Sequence, residues 1–291
     1  LIVLAPFCAL CNAFFFALHN ILTKKGLATS NATTAVTTSL LINVSLLWIV
    51  SVLFIPLDGL TNPAILIFVF VGLFQPGLTR LLTYKGIETL GVAITDPIRA
   101  STPMFSALMA IATLGEQLTL NVFCGTLLVI LGIVLLSHRT DPGRRIRLRY
   151  VFFPLLASLL AGFSQVLRKV GLGSVPHPIL AAAVTSTSSF LVVVLGFLIV
   201  GKSAQLFKFT RQSLPYLLGA GACISISMVA IYYALDLGQV VVVIPLSSTG
   251  PLFALILTSI LLRDSERVTG KVVAAAMLIV GGAILITLWK P

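Results

Sequence analysis

Residues Thr83–Thr119 read TYKGIETLGVAITDPIRASTPMFSALMAIATLGEQLT, and residues Tyr232–Thr269 read YYALDLGQVVVVIPLSSTGPLFALILTSILLRDSERVT. The second stretch is a divergent copy of the first. Pro97 and Pro103 answer to Pro245 and Pro251, Phe105 to Phe253, and Glu116-Gln-Leu-Thr119 to Glu266-Arg-Val-Thr269. Further out, Asn20-Ile-Leu-Thr-Lys-Lys-Gly-Leu27 matches Gln165-Val-Leu-Arg-Lys-Val-Gly-Leu172. The repeat therefore takes in both halves of the chain, 1–137 and 150–291, joined by the basic linker 138–149. An internal repeat in an apolar chain predicts an architecture built from two similar bundles.

The solvent of that architecture follows from composition. The 291 residues are 58% hydrophobic and only 9% charged, with a mean hydropathy of +1.12. A water-soluble domain carries about 25% charged residues. So little polar surface cannot cover so much apolar surface in water. The lipid bilayer is the expected partner, and the chain reads as a multi-pass protein of the cell (inner) membrane. A net charge of +11 could point to nucleic acid. The basic residues instead cluster at the ends of apolar runs, where they meet lipid headgroups, and no basic face interleaved with aromatics occurs. Cys8, Cys11, Cys124 and Cys223 all fall in apolar runs and read as packing residues. Opening on Leu1 rather than Met, the sequence is expected to be preceded by further residues.

A spanning helix needs about 20 mostly apolar residues. Ten such runs are read, at 3–22, 32–55, 64–83, 92–113, 120–137, 151–167, 179–200, 214–234, 240–262 and 271–289. The fold class is all-α integral membrane, ten transmembrane helices as two inverted five-helix repeats. The inversion follows from parity: after five crossings the second half enters from the opposite side. Of the 19 basic residues, 15 fall on the side of loops 1–2, 3–4, 5–6, 7–8 and 9–10, Arg168, Lys169 and Lys290 on the other, and Arg99 inside a span. Positive charge stays inside, so this count places loop 5–6 in the cytoplasm and both termini outside.

Candidate site residues are polar groups within the spans. Asp96-Pro-Ile-Arg99 leads, because a charge at the centre of a spanning helix costs about 2.5–3.5 kcal/mol to insert. Asp96 and Arg99 are one turn apart and can pair. The second copy has Ile244, Pro245, Leu246 and Ser247 there, so the fold does not demand the charges. Pro97, Pro103, Pro245 and Pro251 remove backbone donors and mark hinge or gating positions. Gln75, Thr79 and Thr83 form a stripe in the third run. Arg80 either snorkels to the interface or contacts substrate, and Tyr84 and its repeat mate Tyr232 fit an interfacial belt or a gate. In the first run Asn12 and His19 share a face. They serve as interhelical glue or as binding groups, and His19 is either a proton carrier or a buried neutral imidazole. The hydroxyls of Thr185–Ser189 can satisfy carbonyls of their own helix and need no ligand. Glu116, Asp264 and Glu266 are expected to cap helix ends, pairing with Arg263 or Arg267. No Walker loop, HExxH or GxSxG is present, so no enzyme activity and no cofactor or metal is expected.

The repeated Pro-x-Phe helix entering a Gly-Glu-x-Leu-Thr or Asp-Ser-Glu-Arg-Val-Thr turn resembles the EamA-type carriers of the drug/metabolite transporter superfamily. So do the Gly132 and Gly281-Gly282 helices and the Lys-Lys-Gly-Leu or Lys-Val-Gly-Leu ends of each first helix. The resemblance covers nearly the whole chain. It implies two inverted five-helix halves around a central site, and termini in the cytoplasm; on that last point the charge count is preferred. The combined expectation is a secondary carrier for a small polar or amphipathic metabolite, amino-acid-like or related, exporting by alternating access as a monomer or homodimer. Arg99 would receive an anionic group, and Asp96 or His19 would exchange a proton if transport is coupled. Ser247 would complete the site. The alternatives are a lipid-carrier flippase and a non-transporting subunit of an envelope-assembly complex.

Overall fold

The computed structural model describes residues 3–90, 92–137, 148–199, 206, 210–261 and 270–288. The side chains of Arg80, Tyr84, Asp96 and Pro97 lie outside the described residues, as do Arg263, Asp264, Glu266 and Arg267. Every regular element among the described residues is helical. The first half holds α1 (Leu4–Gly26), α2 (Ala32–Phe54), α3 (Ile65–Gly72), α4 (Thr79–Leu90), α5 (Val92–Arg99), α6 (Thr102–Leu114) and α7 (Leu120–Ser137). The second holds α8 (Phe152–Ser174), α9 (Pro178–Ile199), α10 (Leu214–Leu237), α11 (Val240–Ser247), α12 (Gly250–Leu261) and α13 (Gly270–Thr287). Among the described residues seven helical stretches are long and apolar enough to cross a membrane, one of them the α11–α12 run Val240–Thr258 taken end to end, and Ile65–Leu78, Thr102–Leu114 and Leu120–Leu135 are shorter apolar stretches.

Three of the expected spans are not single helices. Between α3 and α4 the segment Leu73–Leu78 is a wide turn in which Gln75 takes extended angles (φ −131°, ψ 126°) ahead of Pro76. The runs expected at 92–113 and 240–262 each split in two, at Ala100-Ser101 and at Ser248-Thr249. Pro103 sits in the first turn of α6, and Pro251 follows Gly250 at the start of α12. A proline has no N–H to continue the preceding helix but is suited to begin the next one. Several helices also outrun the apolar windows: α8 continues to Ser174 and α4 to Leu90. Hydropathy marks the lipid-matched part of a helix, not where its hydrogen bonds stop.

The surface and core are sorted as a bilayer requires. Phe7, Leu53, Phe54, Leu131, Met277 and Ile284 lie on the outside, whereas the buried face of α1 is the small-residue stripe Ala5, Ala9, Ala13 and Ala17. Small residues allow backbones to approach closely, which is what drives association where lipid is already apolar. That stripe lets α1 lie along α10 and α12. In the same way α8 lies along α3, α4 and α6, α2 along α9 and α10, and α7 along α13. Most of the packing therefore runs between the two halves of the chain.

The contacts also exchange under the repeat. A side chain on Gly125 would fall 2.7 Å from the Gly282 carbonyl, and one on Gly132 would fall 2.8 Å from the Ala275 carbonyl. Aligning Glu116 with Glu266 makes Gly125 the mate of Ala275 and Gly132 the mate of Gly282. Each contact is thus the image of the other, and the two helices cross antiparallel. The repeat mates Gly26 and Gly171 are both closely packed by a large side chain of the other half, Leu217 of α10 and Phe68 of α3.

Candidate functional site

The two helix breaks lie at repeat-equivalent places: Arg99 ends α5 and its mate Ser247 ends α11. α5 is 8 residues long, about 12 Å at 1.5 Å per residue, against a hydrocarbon core of about 30 Å. Helix ends carry orphan carbonyls, and here short polar side chains meet them. Ser101 Oγ donates to Ile98 O (2.6 Å), Thr102 Oγ1 to Arg99 O (2.8 Å), and Ser158 Oγ of α8 to Ile98 O (3.3 Å). In the second half Ser248 Oγ donates to Ile244 O (2.9 Å) and Thr249 Oγ1 to Leu246 O (2.8 Å). Ser247 Oγ is buried and has no such acceptor.

Arg99 lies in the last turn of α5, where the helix dipole favours a cation. Its Nη1 donates to Thr83 Oγ1 of α4 at 2.9 Å, and Thr83 Oγ1 in turn donates to Thr79 O at 2.7 Å. The arginine is partly buried and reaches the third expected span. Gln75 leaves the Thr79–Thr83 stripe because of the wide turn, and its Oε1 is buried without a partner among the described residues. The pairing expected between Arg99 and Asp96 falls on a side chain outside the described residues.

His19 is 4% exposed, and its Nδ1–H donates to the Ala220 carbonyl at 2.9 Å. Asn12 Nδ2 donates to Ser227 O (2.9 Å) and Ser227 Oγ (2.8 Å). Both residues of the polar face of α1 thus tie it to α10. The serine-threonine run of α9 does more than serve its own helix. Only Thr187 bonds a carbonyl of α9, Ala183 O (2.8 Å), and it also accepts from Trp48 Nε1 (2.8 Å). Ser186 accepts from Asn43 Nδ2 (3.1 Å), Ser188 donates to Val69 O (2.8 Å), and Ser189 accepts from Gly77 N–H (3.2 Å). The run connects α9 to α2, to α3 and to the wide turn.

Two features stand apart from the sequence reading. Tyr232 does not lie on the outer surface: it is 0% accessible. Its hydroxyl shares a 2.5 Å hydrogen bond with Thr185 Oγ1, and its ring carries the Arg168 guanidinium at 5.1 Å. Arg168, counted among headgroup-side charges, is 2% exposed inside α8 and donates to Gln165 Oε1 at 3.1 Å. Lys169 turns away to cap α10, donating to Leu235 O (2.7 Å) and Asp236 O (3.2 Å). The apolar window ended at 167 because Arg-Lys ended it, and burial beyond it has no hydropathy signal. Glu116 caps a helix end as expected, but across the halves: Oε1 accepts from Val240 N–H (2.8 Å) and Oε2 from Val241 N–H (2.9 Å) of α11. Gly115 before it takes a left-handed conformation (φ 66°) that ends α6 and aims the carboxylate at α11.

The described residues include no group of three or more His, Cys, Asp or Glu placed to hold a metal ion. No curated protein matches the sequence. A solved structure, described only as a crystal structure of a protein, aligns over 98% of this chain and 96% of its own with a TM-score of 0.77, at 16% identity. That likeness shows the fold. The profile of the EamA-like transporter family matches residues 3–138 and again 148–288, once per half of the chain. With the helical bundle, the apolar crossings and a family match over nearly its full length, the chain belongs to the EamA-like transporter family of the drug/metabolite transporter superfamily, and is a multi-pass membrane protein.

Proposed function

We propose that the chain is a secondary carrier that moves a small polar or amphipathic metabolite across the cell (inner) membrane by alternating access around the two helix breaks. The single observation that carries the reading is the placement of Arg99 and Ser247 at equivalent breaks in the two halves. A discontinuous helix offers backbone groups and a polar side chain at membrane depth, where an unbroken one offers none. Arg99 receives an anionic group such as a carboxylate, through the paired charge-assisted bonds a guanidinium can make. Ser247 and Gln75, with buried oxygens that no donor or acceptor among the described residues satisfies, complete the site. Asp96, or His19, exchanges a proton if flux is coupled. Pro97, Pro103, Pro245 and Pro251 flank the breaks and serve as hinges.

The same reading takes the seven long and three shorter apolar helical segments as ten crossings, in two five-helix halves of 1–137 and 150–291. The antiparallel contact of repeat-equivalent α7 and α13 supports an inverted repeat, since an axis along the membrane normal would leave equivalent helices parallel. Export, with loop 5–6 in the cytoplasm by charge, completes the picture.

The test is flux of an amino-acid and carboxylate panel in proteoliposomes. Saturable flux of at least one solute is expected, with Arg99→Lys greatly slower at equal protein. Absence of flux for every solute, with protein shown to be inserted, overturns the carrier reading.

A further inference from the structure

Arg168 has no role in the scheme above. It is a charged group 2% exposed in a membrane bundle, and among the described residues no carboxylate lies within ion-pair distance of it. What meets it is neutral: the Gln165 Oε1 at 3.1 Å and the Tyr232 ring at 5.1 Å. Among the described residues its Nε–H has no acceptor. A guanidinium presents its donors as a planar fork, and a single amide oxygen fills one position. The Tyr232 ring face stabilises the charge and its hydroxyl also interacts with the guanidinium, which still leaves Nε unmatched. The fold does not require a cation here, because the repeat mate of Arg168 is Thr23. Nor does Arg168 cap a neighbouring helix: that task falls to Lys169, the next residue, which caps α10.

An intramembrane charge that is not needed by the fold and not neutralised by the protein is kept for something that arrives. We propose that Arg168 is the second oxyanion-binding arginine of this carrier, set between α8, α9 and α10, and that it takes a carboxylate or phosphate group of an organic solute. Gln165 and the Tyr232–Thr185 pair orient the guanidinium. They hold Nε and one edge of the fork ready for two coplanar oxygens. Because the group is closed in by α10, an anion reaches it only when α10 parts from α8. The site therefore belongs to one of the carrier's alternating states. The proposal rests on the carrier reading for its use in transport, but the binding itself is measurable without flux.

The experiment is thermal unfolding of the purified full chain in a neutral detergent. Sodium benzoate or sodium phosphate is titrated against sodium chloride at equal ionic strength. A ligand that binds only the folded state raises the midpoint in a saturable way. The parent should show such a rise with at least one of the two oxyanions. Arg168→Gln should abolish it, and Arg168→Lys, which keeps the charge but not the fork, should weaken the half-saturating concentration by about tenfold or more. The lysine variant covers the case in which Arg168→Gln does not fold. Arg99→Gln separates this site from the other. If Arg99→Gln loses the rise while the Arg168 variants keep it, the oxyanion sits at Arg99 alone: the inference fails and the carrier reading stands. No rise in the parent, or an unchanged half-saturation in Arg168→Lys, also overturns it. So does an Arg168-dependent rise with phosphatidylglycerol micelles but with neither solute, which would make the ligand a lipid headgroup.

Discussion

At the scale of single residues, the charge at a helix break is held differently from the charges that fasten helix ends. Arg99 sits at a helix break and bonds Thr83, whereas Lys169 and Glu116 cap helix ends. Arg99→Lys keeps the charge and should insert normally, yet transport at least about tenfold slower, because a lysine lacks the planar fork. If Arg99 only balances Asp96, the paired change Asp96→Asn with Arg99→Gln should transport like the parent at matched membrane abundance. Near-parental flux by that pair would move the search to His19, Gln75 and Ser247. Glu116 supplies both oxygens to the first turn of α11, so Glu116→Ala should cost about 0.5–2 kcal/mol, the range of a lost N-terminal cap. That loss should appear as a lower unfolding midpoint, with Glu116→Gln falling between. Much of this was legible in sequence: a charged turn absent from its own repeat copy drew attention to Arg99, and Glu116 was read as a cap. That Glu116 serves the other half, and that Arg168 turns inward, depend on which helices become neighbours. No local pattern carries that information.

At the scale of elements, pairs of helices meet through backbone rather than through large side chains. At the α7–α13 crossing a methyl group on Gly282 would lie 2.6 Å from the Gly125 carbonyl, while one on Gly281 would meet nothing within 4 Å. Gly282→Ala should therefore lower stability by about 1–3 kcal/mol, the usual cost of overpacking. Gly281→Ala, one position away on the same helix, should be neutral or slightly stabilising. Equal unfolding midpoints for the two variants would show that the close crossing is absent in the membrane. The repeat and the helix positions were legible because lipid imposes long apolar runs. The breaks at Ala100 and Ser248 were not, although Pro103 and Pro251 marked them. Hydropathy does not distinguish a continuous crossing from two half-helices. The serine-threonine run of α9 looked self-sufficient for a similar reason: a hydroxyl can bond its own helix or a neighbour, and only the packing decides.

At the scale of the whole molecule, the distribution of basic residues predicts an orientation. A cysteine placed at Gly143 should resist an impermeant thiol reagent in intact cells, and react after the cells are opened, if the positive-inside count holds. Strong labelling from outside would favour the reverse orientation that the family resemblance implies. The interleaving of the two halves has a further meaning for how the protein is made. A ribosome finishes α1 to α7 while α8 to α13 do not yet exist. During that interval the small-residue stripe of α1, the glycines of α7 and the carboxylate of Glu116 face lipid, or the insertion machinery, instead of their eventual neighbours. The first half is then a set of inserted but unassembled helices waiting for the remainder of the nascent chain. Cutting the gene between the halves and expressing both pieces together should consequently restore a folded carrier, and either piece alone should be degraded.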